Sequence, residues 1–153
     1  LLHGGRLRAA ALLALLVFIA CGPRPAGPAD WSADFRTLDG LPVAPGVGEK
    51  PVVLVFWSSW APPCTLLLRE LEPVTARARV VTVLVDARDP GLEGRAAGAM
   101  TVSVPAADSV LDRYDLEVVP TTLVFDRQGR ERARFEGYGP DIVAAIGSVL
   151  EEE

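Results

Sequence analysis

Residues 52–64, VVLVFWSSWAPPC, decide how the rest of the chain is read. Val52 to Trp57 is an unbroken apolar run directly after Lys50 and Pro51. Its β-branched content suits a central strand buried on both faces. Pro62 and Pro63 then open a helical stretch in which Leu67, Leu71 and Val74 share one face. Prolines are tolerated there because the first helical turn has no amide partners to lose. Val80 to Val85 is a second apolar run and ends at Asp86. Two β runs flanking one helix make a βαβ unit.

The remaining elements follow on either side. Upstream, residues 35–38 read as a short strand entering a turn at Asp39-Gly40, a pair that supplies the positive backbone angles a tight turn needs. Downstream, residues 91–100 and 108–114 are helix candidates, the second with Val110, Leu111 and Tyr114 on one side. Residues 121–125 form a strand, 126–129 a turn, and 130–135 an alternating partner strand. Residues 140–150 close the chain as a helix, with Ile142, Ala145, Ile146 and Val149 at helical spacing. A βαβ half is thus followed by a ββα half, with no internal repeat.

The chain has 153 residues, enough for one compact domain. Its net charge is −5, and the first twenty residues contribute Arg6 and Arg8 but no acid, so the remainder is more acidic still. That sign repels phosphate backbones and argues against a nucleic-acid partner. Two cysteines, one His and one Met leave almost no ligands for a transition metal, so neither a metal nor a cofactor is expected.

Arg6 and Arg8 precede the apolar run Ala9 to Ala20, which stops at Cys21. Twelve apolar residues are too few for a bilayer span, which takes roughly 20, and the layout is that of a secretory signal over residues 1–20. Residues 18–21, FIAC, resemble a bacterial lipobox in which Cys21 receives lipid; an ordinary cleaved signal and an uncleaved anchor are the alternatives. The Pro/Gly-rich residues 21–30 read as a tether, residues 31–150 as the folded domain, and 151–153 as an acidic tail.

The VLVFWSSWAPPC segment, residues 53–64, resembles the active-site region of TlpA/ResA-type thioredoxins: an apolar strand, Phe-Trp, a spacer, then Trp-Cys-Pro-Pro-Cys. Residues 118–129, VVPTTLVFDRQG, resemble the cis-proline loop, strand and hairpin of the same family, and residues 34–40 its amino-terminal strand. The resemblance implies a thioredoxin-like α/β fold with a mixed central sheet, a cis bond at Pro120, and thiol-disulfide exchange at the cell envelope.

One departure outweighs these matches. The family places its first cysteine where this chain has Ala61, so Cys64 occupies the place of the second. In the family the first cysteine attacks as a thiolate at a helix amino terminus, where unpaired amides stabilise negative charge. The second acts only after a mixed disulfide has formed. Carboxylates that manage the resolving thiol's proton are missing too: Val55 stands where thioredoxins carry an aspartate, and Leu67 where ResA-like proteins carry a glutamate. Glu70 reads as an exposed helical residue, and Pro73 comes later than the family's helix-kinking proline. Peroxiredoxins place Thr or Ser three residues before their reactive cysteine, and Ala61 fails that pattern as well.

Two readings of Cys64 stand open, a reactive single thiol and a small packed hydrophobe, with packing preferred. Trp57 reads as core and Trp60 as surface. Arg127, Arg130, Arg132 and Arg134 read as the solvated face of an edge strand. The degenerate motif Trp60, Ala61, Pro62, Pro63 and Cys64 faces, on the family pattern, a groove formed with Val119, Pro120 and Thr121. Its loop pairs with an extended polypeptide by strand addition, which needs no thiol at position 61. The expectation is a lipid-anchored envelope protein that binds an extended polypeptide or envelope client without catalysis. The alternative is an oxidoreductase in cell redox homeostasis, working through Cys64 alone or with a partner's thiol. A third reading takes Ala61 as a replacement in an ordinary oxidoreductase, against which the missing carboxylates weigh.

Overall fold

A computed structural model describes residues 35–43, 49–86, 98–104 and 107–152. The expected signal, the tether, Cys21 and the domain start at Trp31 lie outside the described residues. Ten elements follow in order: β1 (Arg36–Thr37), β2 (Val52–Trp57), α1 (Pro62–Glu70), α2 (Glu72–Thr75), β3 (Arg79–Leu84), β4 (Met100–Ser103), α3 (Ala107–Tyr114), β5 (Thr121–Phe125), β6 (Glu131–Glu136) and α4 (Ile142–Glu151).

The strands form one six-stranded sheet in the order β1-β4-β3-β2-β5-β6. β2 runs parallel to β3 and antiparallel to β5, and β5 is antiparallel to β6, so the sheet is mixed as expected. β2 lies at its centre, and all six of its residues are buried, as its unbroken apolar run implied. Alternation then divides the core in two. Val53, Val55 and Trp57 pack with Cys64, Leu67, Leu68 and Leu71 of the α1 region and with Ile142 and Ile146 of α4. Val52, Leu54 and Phe56 face the other way, onto Phe35, Val110 and Tyr114. Phe35, Phe56 and Tyr114 form a ring cluster there, with centroids 4.9 to 6.3 Å apart.

Three expectations are corrected. The stretch after Pro62 is two helices, because the first ends at Glu70 with Leu71 as its C-cap, two residues before Pro73. A proline ring clashes with the carbonyl four residues earlier and removes an amide from the ladder, so the helix stops there. The helix candidate at residues 91–100 fails at its carboxyl end. Gly98 has φ +74, and a Cβ there would meet the Thr75 hydroxyl oxygen at 3.0 Å; Met100 already belongs to β4. Residues 91–97 lie outside the described residues. β4 itself was missed because only Val102 of its four residues is fully buried, which leaves no apolar run to read.

Two of the four arginines, Arg130 and Arg134, are also more engaged than a solvated face. The Arg134 guanidinium donates to the Tyr114 and Asp115 carbonyls at 3.0 and 3.3 Å, capping the end of α3, and pairs with Glu131 at 3.2 Å. Arg130 clamps the β5–β6 turn through Asp126 at 2.6 Å. Among the described residues no helix is long and apolar enough to cross a membrane.

Candidate functional site

Because β2 and β5 are antiparallel with Phe56 opposite Thr121, the residues after Trp57 and the residues before Thr121 emerge at the same end of the sheet. The sequence-derived residues therefore converge from two sides: Trp60 to Cys64 on one, Val119 to Thr121 on the other. The Val119–Pro120 bond is cis, as the resemblance implied. Val119 packs against the core cluster that contains Ala61 and Cys64. Pro120 is held from behind, its carbonyl accepting the Gly137 N–H at 2.7 Å, and the Thr121 hydroxyl donates to the Val118 carbonyl at 2.8 Å.

Ala61 is the N-cap residue of α1, in extended geometry and with no side-chain cap bond. Pro62 and Pro63 follow in the first turn and contribute no N–H, while the Cys64 N–H donates to the Ala61 carbonyl at 3.0 Å. The helix dipole favours negative charge at such an end. A methyl group offers none.

Cys64 is a free thiol with no exposed surface, one turn inside the helix. Burial pushes its pKa above the ordinary thiol range. Backbone hydrogen bonding from Ser58 opposes that rise, and the Asp86 carboxylate adds to it. A thiol raised in this way stays protonated at neutral pH, whereas nucleophilic attack and disulfide exchange require the thiolate.

Trp57 and Trp60 separate as expected. Trp57 is 1% exposed and Trp60 65%. Val118, 45% exposed, lies two residues before the cis-proline, so with Trp60 each side of this end carries an exposed apolar residue. Glu70 does not turn toward Cys64. It accepts a 2.8 Å hydrogen bond from the Tyr138 hydroxyl, which ties α1 to the loop after β6, and this bond raises the tyrosine's pKa.

The residue that sequence reasoning missed is Asp86. Its Oδ2 accepts three hydrogen bonds: from the Ser58 hydroxyl at 2.8 Å, the Ser59 N–H at 3.1 Å and the Ser59 hydroxyl at 2.8 Å. A signal was present, since Asp86 ends the apolar run of β3 and β3 is the parallel partner of β2. Their carboxyl ends must then lie side by side. Among the described residues no group of His, Cys, Asp and Glu gathers that could hold a metal ion.

Comparison with known proteins agrees with this geometry. Thioredoxin Y of the chloroplast of Oryza sativa subsp. japonica is 27% identical over 105 residues, 67% of this chain and 53% of that protein. The thiol-disulfide oxidoreductase ResA of Geobacillus thermodenitrificans is 27% identical over 96 residues, 58% of this chain and 55% of that protein. The chain thus spans about half the length of the curated relatives it matches. Among solved structures, a thiol:disulfide interchange protein DsbE from Chlorobium tepidum superposes with a TM-score of 0.60 at 23% identity, covering 67% of this chain and 79% of that one. A secreted Mycobacterium tuberculosis disulfide oxidoreductase gives 0.58 at 19%, covering 74% and 92%. These structures share the fold. The family profile described as a thioredoxin-like domain matches residues 41–143, and this chain belongs to that family, with ResA as a distant relative in sequence and the DsbE structure as a neighbour in fold.

Proposed function

We propose that this protein is a non-catalytic polypeptide-binding member of the thioredoxin-like family, exported and held at the cell envelope by lipid on Cys21. One observation carries the reading. The N-cap of α1, where an attacking thiolate would sit, is Ala61, and the remaining thiol, Cys64, is fully buried with its pKa raised. Exchange needs an exposed thiolate for its opening step, and neither position supplies one.

The binding half of the reading is supported by the surface on either side. Trp60 and Val118 are exposed apolar residues flanking a motif whose cis-proline loop is intact. An extended chain laid against such a loop gains backbone hydrogen bonds and apolar cover at once. The relatives' names favour the oxidoreductase alternative, but a protonated, enclosed Cys64 gives that alternative no first step without a partner's thiol.

The test pairs two assays on the full chain. Reduction of insulin disulfides is expected to stay at the background set by the thiol reductant alone, and a fluorescein-labelled, carboxymethylated unfolded polypeptide is expected to bind saturably. Turnover above that background would overturn the non-catalytic reading. Absence of binding would overturn the module. Mass spectrometry of the chain recovered from membranes checks the lipid on Cys21.

A further inference from the structure

We propose that Asp86 is the positioning residue of this site, fixing the turn from Ser58 to Ala61 that presents Trp60 and begins α1. The Val85 N–H donates to the Trp57 carbonyl at 2.9 Å, so the pairing of β2 with β3 continues to the strand ends and sets Asp86 beside Ser58. Three donors from residues 58 and 59 then converge on one carboxylate oxygen, at 2.8 to 3.1 Å. Hydrogen bonds to an ionised acceptor are roughly twice as strong as neutral ones. They hold the first half of the turn.

The second half is held by the helix. The Ala61 N–H reaches back to the Ser58 carbonyl at 3.4 Å, and the Ala61 carbonyl accepts the Cys64 N–H at 3.0 Å. Trp60 sits between these two anchors with 65% of its surface exposed, so the core does little to fix its direction. The turn does that work, and the turn is fastened to Asp86.

The same carboxylate bears on Cys64. The neighbours of that thiol in the core cluster are apolar, among them Trp57, Ala61, Leu67 and Leu68, and Asp86 is the charged side chain that acts on it, in the direction that keeps the proton on sulfur. One residue thereby shapes the binding wall and adds, after burial, to what keeps the thiol protonated. For Trp60 this inference rests on the binding reading; for the turn it stands on the three hydrogen bonds alone.

Asp86→Ala and Asp86→Asn in the full chain test it. Hydrogen exchange of residues 58–61 is expected to quicken about tenfold or more in Asp86→Ala, the scale of losing charge-assisted bonds, with weaker capture of the labelled unfolded polypeptide. Asp86→Asn keeps an oxygen acceptor but loses its charge, so exchange and capture should fall between those of Asp86→Ala and wild type. It should also move the pH profile of Cys64 alkylation, followed on its own peptide by mass spectrometry, to lower pH. A purely structural residue would not shift that profile in the conservative variant. Unchanged exchange in Asp86→Ala, or an unmoved alkylation profile in Asp86→Asn, overturns the assignment. Failure of the wild-type chain to bind polypeptide sinks the binding reading instead, while exchange and alkylation still decide Asp86.

Discussion

The two ends of the central sheet treat a carboxylate differently. At the end where β5 turns into β6, Asp126 is buried and tied to Arg130 by the backbone N–H at 2.8 Å and the guanidinium at 2.6 Å. Gly129, with φ +79, lets that turn close tightly. At the opposite end Asp86 draws its partners from hydroxyls and an amide, beside an exposed tryptophan and a thiol. The first end neutralises its charge and shuts. The second spends its charge on holding a turn beside an exposed tryptophan, which is what the proposed binding site needs and a hairpin built only for stability does not.

The largest effect expected is at the missing sulfur. Ala61→Cys places a thiol at the N-cap of α1, three residues before Cys64, where the helix end favours its ionised form. Oxidant should then form a disulfide with Cys64, visible as the loss of two thiols on titration. Insulin reduction should rise from background by about tenfold or more. Failure to form that bond would mean this end of the sheet lacks the geometry the comparison assigns it.

The fold was legible because its decisive segments are strongly patterned: β2 as an unbroken apolar run, α1 as Leu67 and Leu71 behind two prolines, β5 and β6 around Asp126 to Gly129. The site was legible only in part. Trp60, Ala61, Cys64 and Pro120 lie within motifs, and their convergence follows from the antiparallel pairing of β2 and β5. Asp86, Ser58 and Ser59 act through a contact spanning 27 or 28 residues, which no local spacing reveals. β4 was hidden for a related reason, since its two neighbours in the sheet, β1 and β3, supply the order that its own four residues do not.

Two smaller effects sharpen the contrast between floor and surface at the site end. Leu67, where ResA-like proteins carry a glutamate, is fully buried in the same core cluster as Cys64. Leu67→Ala should cost about 2–5 kcal/mol in urea unfolding, the range for emptying a packed core position. A cost under about 1 kcal/mol would mean the floor is loosely packed. Trp60→Ala, by contrast, should leave stability within about 0.5 kcal/mol, as expected for a surface change. It should weaken polypeptide capture about tenfold, the loss typical of an aromatic anchor. Equal binding by the variant would remove Trp60 from the groove.

The smallest effect belongs to the closed end and depends on pH. Burial alone would raise the Asp126 carboxyl, but the N–H, hydrogen-bonded guanidinium and charge of Arg130 outweigh it and hold the group below the usual carboxylate range. A folded-state pKa lower than the unfolded one stabilises the fold fully above the unfolded value, near 3.9, and that contribution is lost as pH falls through the folded value. Asp126→Asn should therefore be less stable than wild type at pH 7, by about 1 kcal/mol or less because the Arg130 side chain is 64% exposed and screened. The gap should narrow as pH drops below about 4, and thermal unfolding of both chains from pH 7 to pH 2 checks this. A gap that stays open at the acid limit would mean that geometry, rather than charge, holds the β5–β6 turn. The two ends of the sheet would then differ in shape alone.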